Sequence, residues 1–191
     1  MKILVLLFAG LFGSVATRGL DDLSARLGRV PGVIVKTYSW TDWPQAVEYA
    51  RERKDLRIVM VGHSLGAGAA INAARALDAD ARPVEELVAI DGRQPWSWMW
   101  IEMDKLPNNV LLGIGYQRAD NPTRGLLRKP PAGLSGGLTS VLNIRSRSRD
   151  HLGIASEPSV HRAIERDLWA LLRASGDEQA GLSRRSLSRS R

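Results

Sequence analysis

Gly62-His63-Ser64-Leu65-Gly66, followed by Ala67-Gly68, sets a serine between two glycines in the pattern G-x-S-x-G. Arg57 to Val61 ahead of it reads as a strand, and the Ala-rich stretch Leu65 to Leu77 behind it as a helix. A sharp turn between the two would hold Ser64 in a strained backbone conformation with its hydroxyl exposed. Side chains at 62 and 66 would collide with that turn, and glycine removes the collision. The helix N-terminus behind the serine adds partial positive charge where an oxyanion would develop. The plainer alternative is a Gly-rich turn with an incidental serine.

A serine hydroxyl needs a base to take its proton, and the chain has three histidines. His63 is next to the serine, where its side chain points the other way, so a local packing role is expected. His161 lies off the apolar stripe of the last helix and reads as a surface residue able to pair with Glu165. His151 follows the last strand in Arg149-Asp150-His151-Leu152-Gly153-Ile154, a loop able to bring an imidazole back over Ser64. It is the expected base. A carboxylate must then hold the histidine tautomer. Asp91 closes the strand Leu87 to Ile90, and Asp120 follows the next strand by four residues; Asp91 is favoured for its strand-end position and Asp120 stays open. Asp150 is too near His151 in sequence to face it well. The oxyanion would be held by two backbone N–H groups: that of Leu65, directly after the serine, and that of Leu11, with Phe12 next, from the Gly10 loop.

These residues must be positioned by alternating strands and helices. Strands are expected at Ile3 to Phe8, Val33 to Trp40, Arg57 to Val61, Leu87 to Ile90, Val110 to Tyr116 and Val141 to Ile144. Helices are expected at Arg18 to Leu27, at Trp43 to Lys54 with Asp42 as N-cap, at Leu65 to Leu77, and from Pro158 onward with Val160, Ile164, Leu168 and Leu171 as its stripe. This order implies an α/β fold: a mainly parallel sheet of about six strands with helices on both faces. Asp120 to Ser140, rich in Pro and Gly, reads as a long loop near the functional end of the sheet, or else a surface excursion.

The glycine-flanked serine on its strand and helix, the Gly10 loop, and the order Ser64, Asp91, His151 together resemble the α/β-hydrolase superfamily, especially its lipase and esterase members. The likeness covers roughly Lys2 to Leu172. It implies a minimal α/β-hydrolase fold without a large cap domain, and cleavage of carboxylic ester or thioester bonds through an acyl-enzyme intermediate with no cofactor. The implied partner is a small-molecule or lipid-like ester. The alternatives are acyl transfer with the same residues, or a non-catalytic binding protein on the same scaffold.

Composition narrows the classes. With 191 residues, one domain is expected over 1–180, followed by a basic Ser/Arg-rich disordered tail at 181–191. No cysteine occurs, which excludes disulfides, Cys-ligated metals and a Cys nucleophile. No metal site is expected from the three histidines, whose spacing suggests no ligand set. Of the net charge of +7, the tail from Arg184 on supplies four arginines and no acid. A nucleic-acid partner is therefore not expected. Trp96, Trp98 and Trp100 alternate just after Asp91 and are candidates for an apolar substrate wall, or for core packing. Arg145, Arg147 and Arg149 alternate too, as a solvated strand face or an attractor of anions. Met1 to Ala16 has the outline of a secretory signal, but cleavage there would delete the first strand. The strand reading, preferred here, implies a cytoplasmic protein; the signal reading implies a secreted one. No run of residues is long enough to cross a bilayer as a helix.

Overall fold

The computed structural model describes residues 2–11, 18–92, 104–122, 125–130 and 139–188, the last fourteen of these as backbone alone. Six strands form one sheet: β1 (Ile3–Ala9), β2 (Val33–Ser39), β3 (Arg57–His63), β4 (Val84–Ile90), β5 (Val110–Gln117) and β6 (Ser140–Arg145). Their order is β2-β1-β3-β4-β5-β6, and every neighbouring pair is parallel. The helices are α1 (Arg18–Leu27), α2 (Trp43–Arg51), α3 (Leu65–Asp78) and α4 (Pro158–Ser188), with a 3₁₀ turn at Gly153–Ser156. Among the described residues, no helix is long and apolar enough to cross a membrane.

Strands buried on both faces need apolar side chains at every position, and β1, with all seven residues buried, shows it. It is bonded to β2 on one side and β3 on the other. The sheet separates two cores. Leu4, Leu6, Phe8 and Met60 pack under α2 and α3. Val5, Leu7, Val59 and Val61 pack under α1 and the first turns of α4. The stripe Val160, Ile164 and Leu168 lies in this second core, with Leu171 packed against it.

β4 starts at Val84, three residues earlier than its apolar run, because Glu86 is buried on the sheet face beneath α4. Burial, with Asp167 nearby, pushes the Glu86 carboxyl up to about 8. Asp42 stands at the N-cap of α2, but its side chain makes no capping bond; Pro44 in the first turn sets the start instead. The segment after β5 is no plain surface excursion. Leu127 is buried in the first core. Asn143 of β6 clamps it with two bonds, Leu127 N–H to Asn143 Oδ1 at 2.9 Å and Asn143 Nδ2 to the Leu127 carbonyl at 3.0 Å. The final helix continues through Gly181 to Ser188, into the segment read from composition as a tail.

Candidate functional site

The site forms where β3, β4, β5 and β6 end. β3 stops at His63 and α3 starts at Leu65, so the chain reverses over one residue. Ser64 takes up that reversal at φ 58° and ψ −122°, a region L-residues seldom enter. The glycines two residues to either side, Gly62 and Gly66, leave room for it. A Cβ on Gly62 would fall 2.2 Å from the Gly66 carbonyl oxygen, and one on Gly66 would fall 1.9 Å from that of Phe8. The backbone of Gly10 flanks the serine on its other side: a Cβ there would sit 3.3 Å from Ser64 Oγ.

β6 hands the chain to a loop fixed at several points. Ser146 N–H bonds the Gln117 carbonyl at 2.7 Å, and Ala119 N–H bonds that of Ser148 at 2.9 Å. Ser146 also donates to the Glu157 carboxylate. Burial pulls that carboxyl upward, but hydrogen bonds from Ser146, Ser159 and the loop backbone outweigh it and hold Glu157 below its ordinary range. The loop brings His151 over the serine, with Nε2 2.9 Å from Ser64 Oγ. On the other side of the ring, Nδ1 is hydrogen-bonded to Asp91 Oδ2. A carboxylate oxygen only accepts, so this pairing selects the tautomer with the proton on Nδ1 and leaves Nε2 free to accept from the serine hydroxyl.

Asp91 is fully buried and has positive φ at 41°. Arg118 Nε lies 3.0 Å from the same Oδ2. Arg118 is itself only 13% exposed, and its Nη1 donates to the Arg149 carbonyl at 2.9 Å. Asp120, the other candidate acid, is brought to Arg118 and not to the histidine. It pairs with Nη1 at 3.4 Å from a side chain 47% exposed.

Leu65 opens α3, so its N–H has no intrahelical carbonyl to bond. Leu11 follows Gly10 and is exposed. Phe12, Trp96, Trp98 and Trp100 lie outside the described residues. Arg145, Arg147 and Arg149 are all exposed. His161 corrects an expectation. It is buried, not a surface residue, because the 3₁₀ turn folds over it and the Ala155 carbonyl accepts from its Nε2 at 2.7 Å. His63 does more than pack: its Nε2 donates to the His151 carbonyl at 2.8 Å. Arg118 was not singled out in the sequence. Its signal was a cation at the end of β5, two residues from a candidate acid. Among the described residues, no group of three or more His, Asp or Glu is placed to hold a metal ion.

No family model matches the chain. No curated protein matches it significantly. Solved structures do match. Human thioesterase 2 is 12% identical over 91% of this chain and 98% of its own, with a TM-score of 0.55. An α/β serine hydrolase without lid from Xanthomonas campestris is 15% identical over 87% of this chain and 82% of its own, at 0.52. Est1E from Butyrivibrio proteoclasticus is 15% identical over 87% of this chain and 88% of its own, at 0.51.

Proposed function

We propose that this chain, which has the α/β-hydrolase fold, is a serine hydrolase that cleaves small carboxylic ester or thioester substrates. The observation that carries the reading is the hydrogen-bonded line from Ser64 Oγ through both nitrogens of His151 to the buried Asp91. Ser64 attacks the substrate carbonyl carbon while its proton passes to His151 Nε2. Asp91 steadies the imidazolium that results. The N–H groups of Leu65 and Leu11 hold the tetrahedral oxyanion. Collapse breaks the carbonyl bond to the alcohol or thiol, which leaves with the proton from His151. Water then attacks the acyl-Ser64 ester with His151 as base, releasing the acid and the free serine. The thioester side of the substrate range draws support from a neighbour described as a thioesterase. The position of β1 between β2 and β3 supports its retention in the working protein.

The test is labelling by a fluorophosphonate probe, which reacts only with an activated serine, alongside turnover of p-nitrophenyl esters and an aliphatic thioester. Wild type is expected to label at Ser64. Ser64→Ala should abolish labelling and lower turnover by at least about 10³-fold. Absence of labelling in folded wild type would overturn the reading in favour of a binding protein. Unchanged turnover in Ser64→Ala would remove the nucleophile assignment. Transfer of the acyl group to an added alcohol in preference to water would turn the hydrolase into an acyltransferase.

A further inference from the structure

The loop that carries His151 is held at its entry by the backbone bonds from β5 and by Arg118 on the Arg149 carbonyl. At its exit the 3₁₀ turn takes over, closed by Ile154 N–H on the Asp150 carbonyl and Ala155 N–H on that of Leu152. Between these, the carbonyl of His151 itself accepts a hydrogen bond from His63 Nε2 at 2.8 Å. A carbonyl only accepts, so the proton of the His63 ring must sit on Nε2. The two imidazoles also touch, with centroids 4.8 Å apart and planes inclined by 33°. His63 is buried and is the last residue of β3, one peptide bond from Ser64.

We propose that His63 is a positioning residue for His151: it ties the backbone of the base to the strand end that presents the nucleophile, and so sets the Nε2 to Oγ distance. The inference rests on the hydrolase reading of Ser64 and His151. The physical case is one of lever arms. Ser64 is held to β3 by a single peptide bond, whereas His151 reaches the serine from a loop after β6, two strands further along the sheet than β4. Any sway of that loop acts directly on a 2.9 Å contact. The His63 bond fixes the loop at the residue that matters and refers it to the strand on which the serine stands. Its ring face restrains the plane of the His151 ring at the same time. A shift of about 1 Å in a catalytic group is enough to cost about 10²-fold in rate.

The test compares His63→Gln with His63→Met. The two side chains are similar in length and volume, but only glutamine has a terminal N–H able to reach the carbonyl. Methionine is the easier of the two to bury, so its fold is the more secure. The measurements are kcat and KM for a p-nitrophenyl ester, the rate of fluorophosphonate labelling, and thermal melting. His63→Gln is expected to keep kcat within about 3-fold of wild type. His63→Met is expected to lose about 10- to 100-fold in kcat and in labelling rate, with KM within 2-fold and melting no lower than that of the glutamine variant. A filler role would make the rates follow the melting temperatures instead. Equal kcat in the two variants would overturn the proposal. If wild type itself does not label, it is the hydrolase reading that falls, and the proposal falls with it.

Discussion

Replacing Asp91 by asparagine separates charge from shape at the site. The carboxylate oxygen of Asp91 that meets His151 Nδ1 also meets Arg118 Nε at 3.0 Å. Arg118 Nε is near enough to pair in charge but makes no hydrogen bond, so His151 Nδ1 is the donor bonded to this oxygen. An asparagine that turns its carbonyl oxygen to the ring keeps the proton on Nδ1 and loses charge alone; one that turns its NH₂ there selects the other tautomer and loses the base as well. The electrostatic loss is common to both and sets the smaller effect. In the mechanism proposed above, the carboxylate faces the imidazolium that forms as Ser64 gives up its proton. At about 4 Å and an effective dielectric of about 20, that attraction is worth about 4 kcal/mol. Without it the acylation barrier rises by a similar amount, a factor of about 10³ in rate. Arg118, no longer neutralised, acts in the same direction.

Asp120→Asn is the matched control. Among the described residues, the Asp120 carboxylate is paired with Arg118, at 3.4 Å and from an exposed side chain, where such pairs contribute about 0–1 kcal/mol. Its turnover should stay within about 3-fold of wild type. The assay is kcat/KM for a p-nitrophenyl ester, with fluorophosphonate labelling rates as an independent count of reactive serine. A larger loss in Asp120→Asn than in Asp91→Asn would refute the reasoning. So would an Asp91→Asn variant within 3-fold of wild type.

Two further perturbations probe the scaffold. Gly66→Ala would drive a methyl into the Phe8 carbonyl of β1, a strand that cannot yield because it is bonded on both sides. It should cost about 3 kcal/mol or more in urea unfolding and about 10²-fold in turnover. Gly28→Ala, whose nearest new contact is 3.2 Å from the Ser24 carbonyl oxygen, should change stability by less than about 1 kcal/mol. Glu86 binds its proton up to about 8 in the folded chain against 4.5 ordinarily. Between those values the folded state holds a proton the unfolded state lacks, so the stability due to neutral Glu86 is full below 4.5 and lost by about 8. Glu86→Gln should match wild type near pH 4.5 and exceed it by a few kcal/mol at pH 9, in urea melts at both pH values. A pH-independent difference would remove Glu86 as the cause.

Much of the fold was legible because parallel strands buried on both faces announce themselves. Ile3 to Phe8 and Val110 to Tyr116 are continuous apolar runs, and both are strands. The start of β4 at Val84 is hidden because Glu85 and Glu86 interrupt the apolar run, and no pattern in one chain says that α4 will cover a carboxylate. The meeting of Ser64 with His151 followed from their placement after strands, since parallel strands deliver their C-terminal ends to one edge. The choice between Asp91 and Asp120 did not follow. Both come after a strand, and only the course of the chain beyond Gln117 decides which one turns to the imidazole and which to Arg118. His161 was misplaced for a related reason. It lies off the apolar stripe of its helix, but the 3₁₀ turn before the helix folds back across that position, a contact set by loop geometry and not by periodicity.

Backbone strain gives an independent view of the same site. Among the described residues, three that are not glycine have positive φ: Ser64, Ala81 and Asp91. Such conformations cost about 1–3 kcal/mol each and persist only where surrounding structure imposes them. Ala81 has a local reason, since it turns the chain tightly between α3 and β4, with its N–H on the Asp78 carbonyl. Ser64 likewise turns the chain, from β3 into α3, but Ser64 and Asp91 share a setting that Ala81 lacks. Each follows a strand at one edge of the sheet, and each has its own N–H bonded across to the neighbouring strand, Ser64 to Ile90 at 3.0 Å and Asp91 to Tyr116 at 2.8 Å. Those bonds continue the ladder one residue past the strand ends and hold both backbones while their side chains turn toward His151. A glycine at either position would relieve the strain and leave nothing for the histidine to meet. That two of the three strained residues bracket the imidazole fits a site built for chemistry, because strain of this kind clusters where side chains must be aimed.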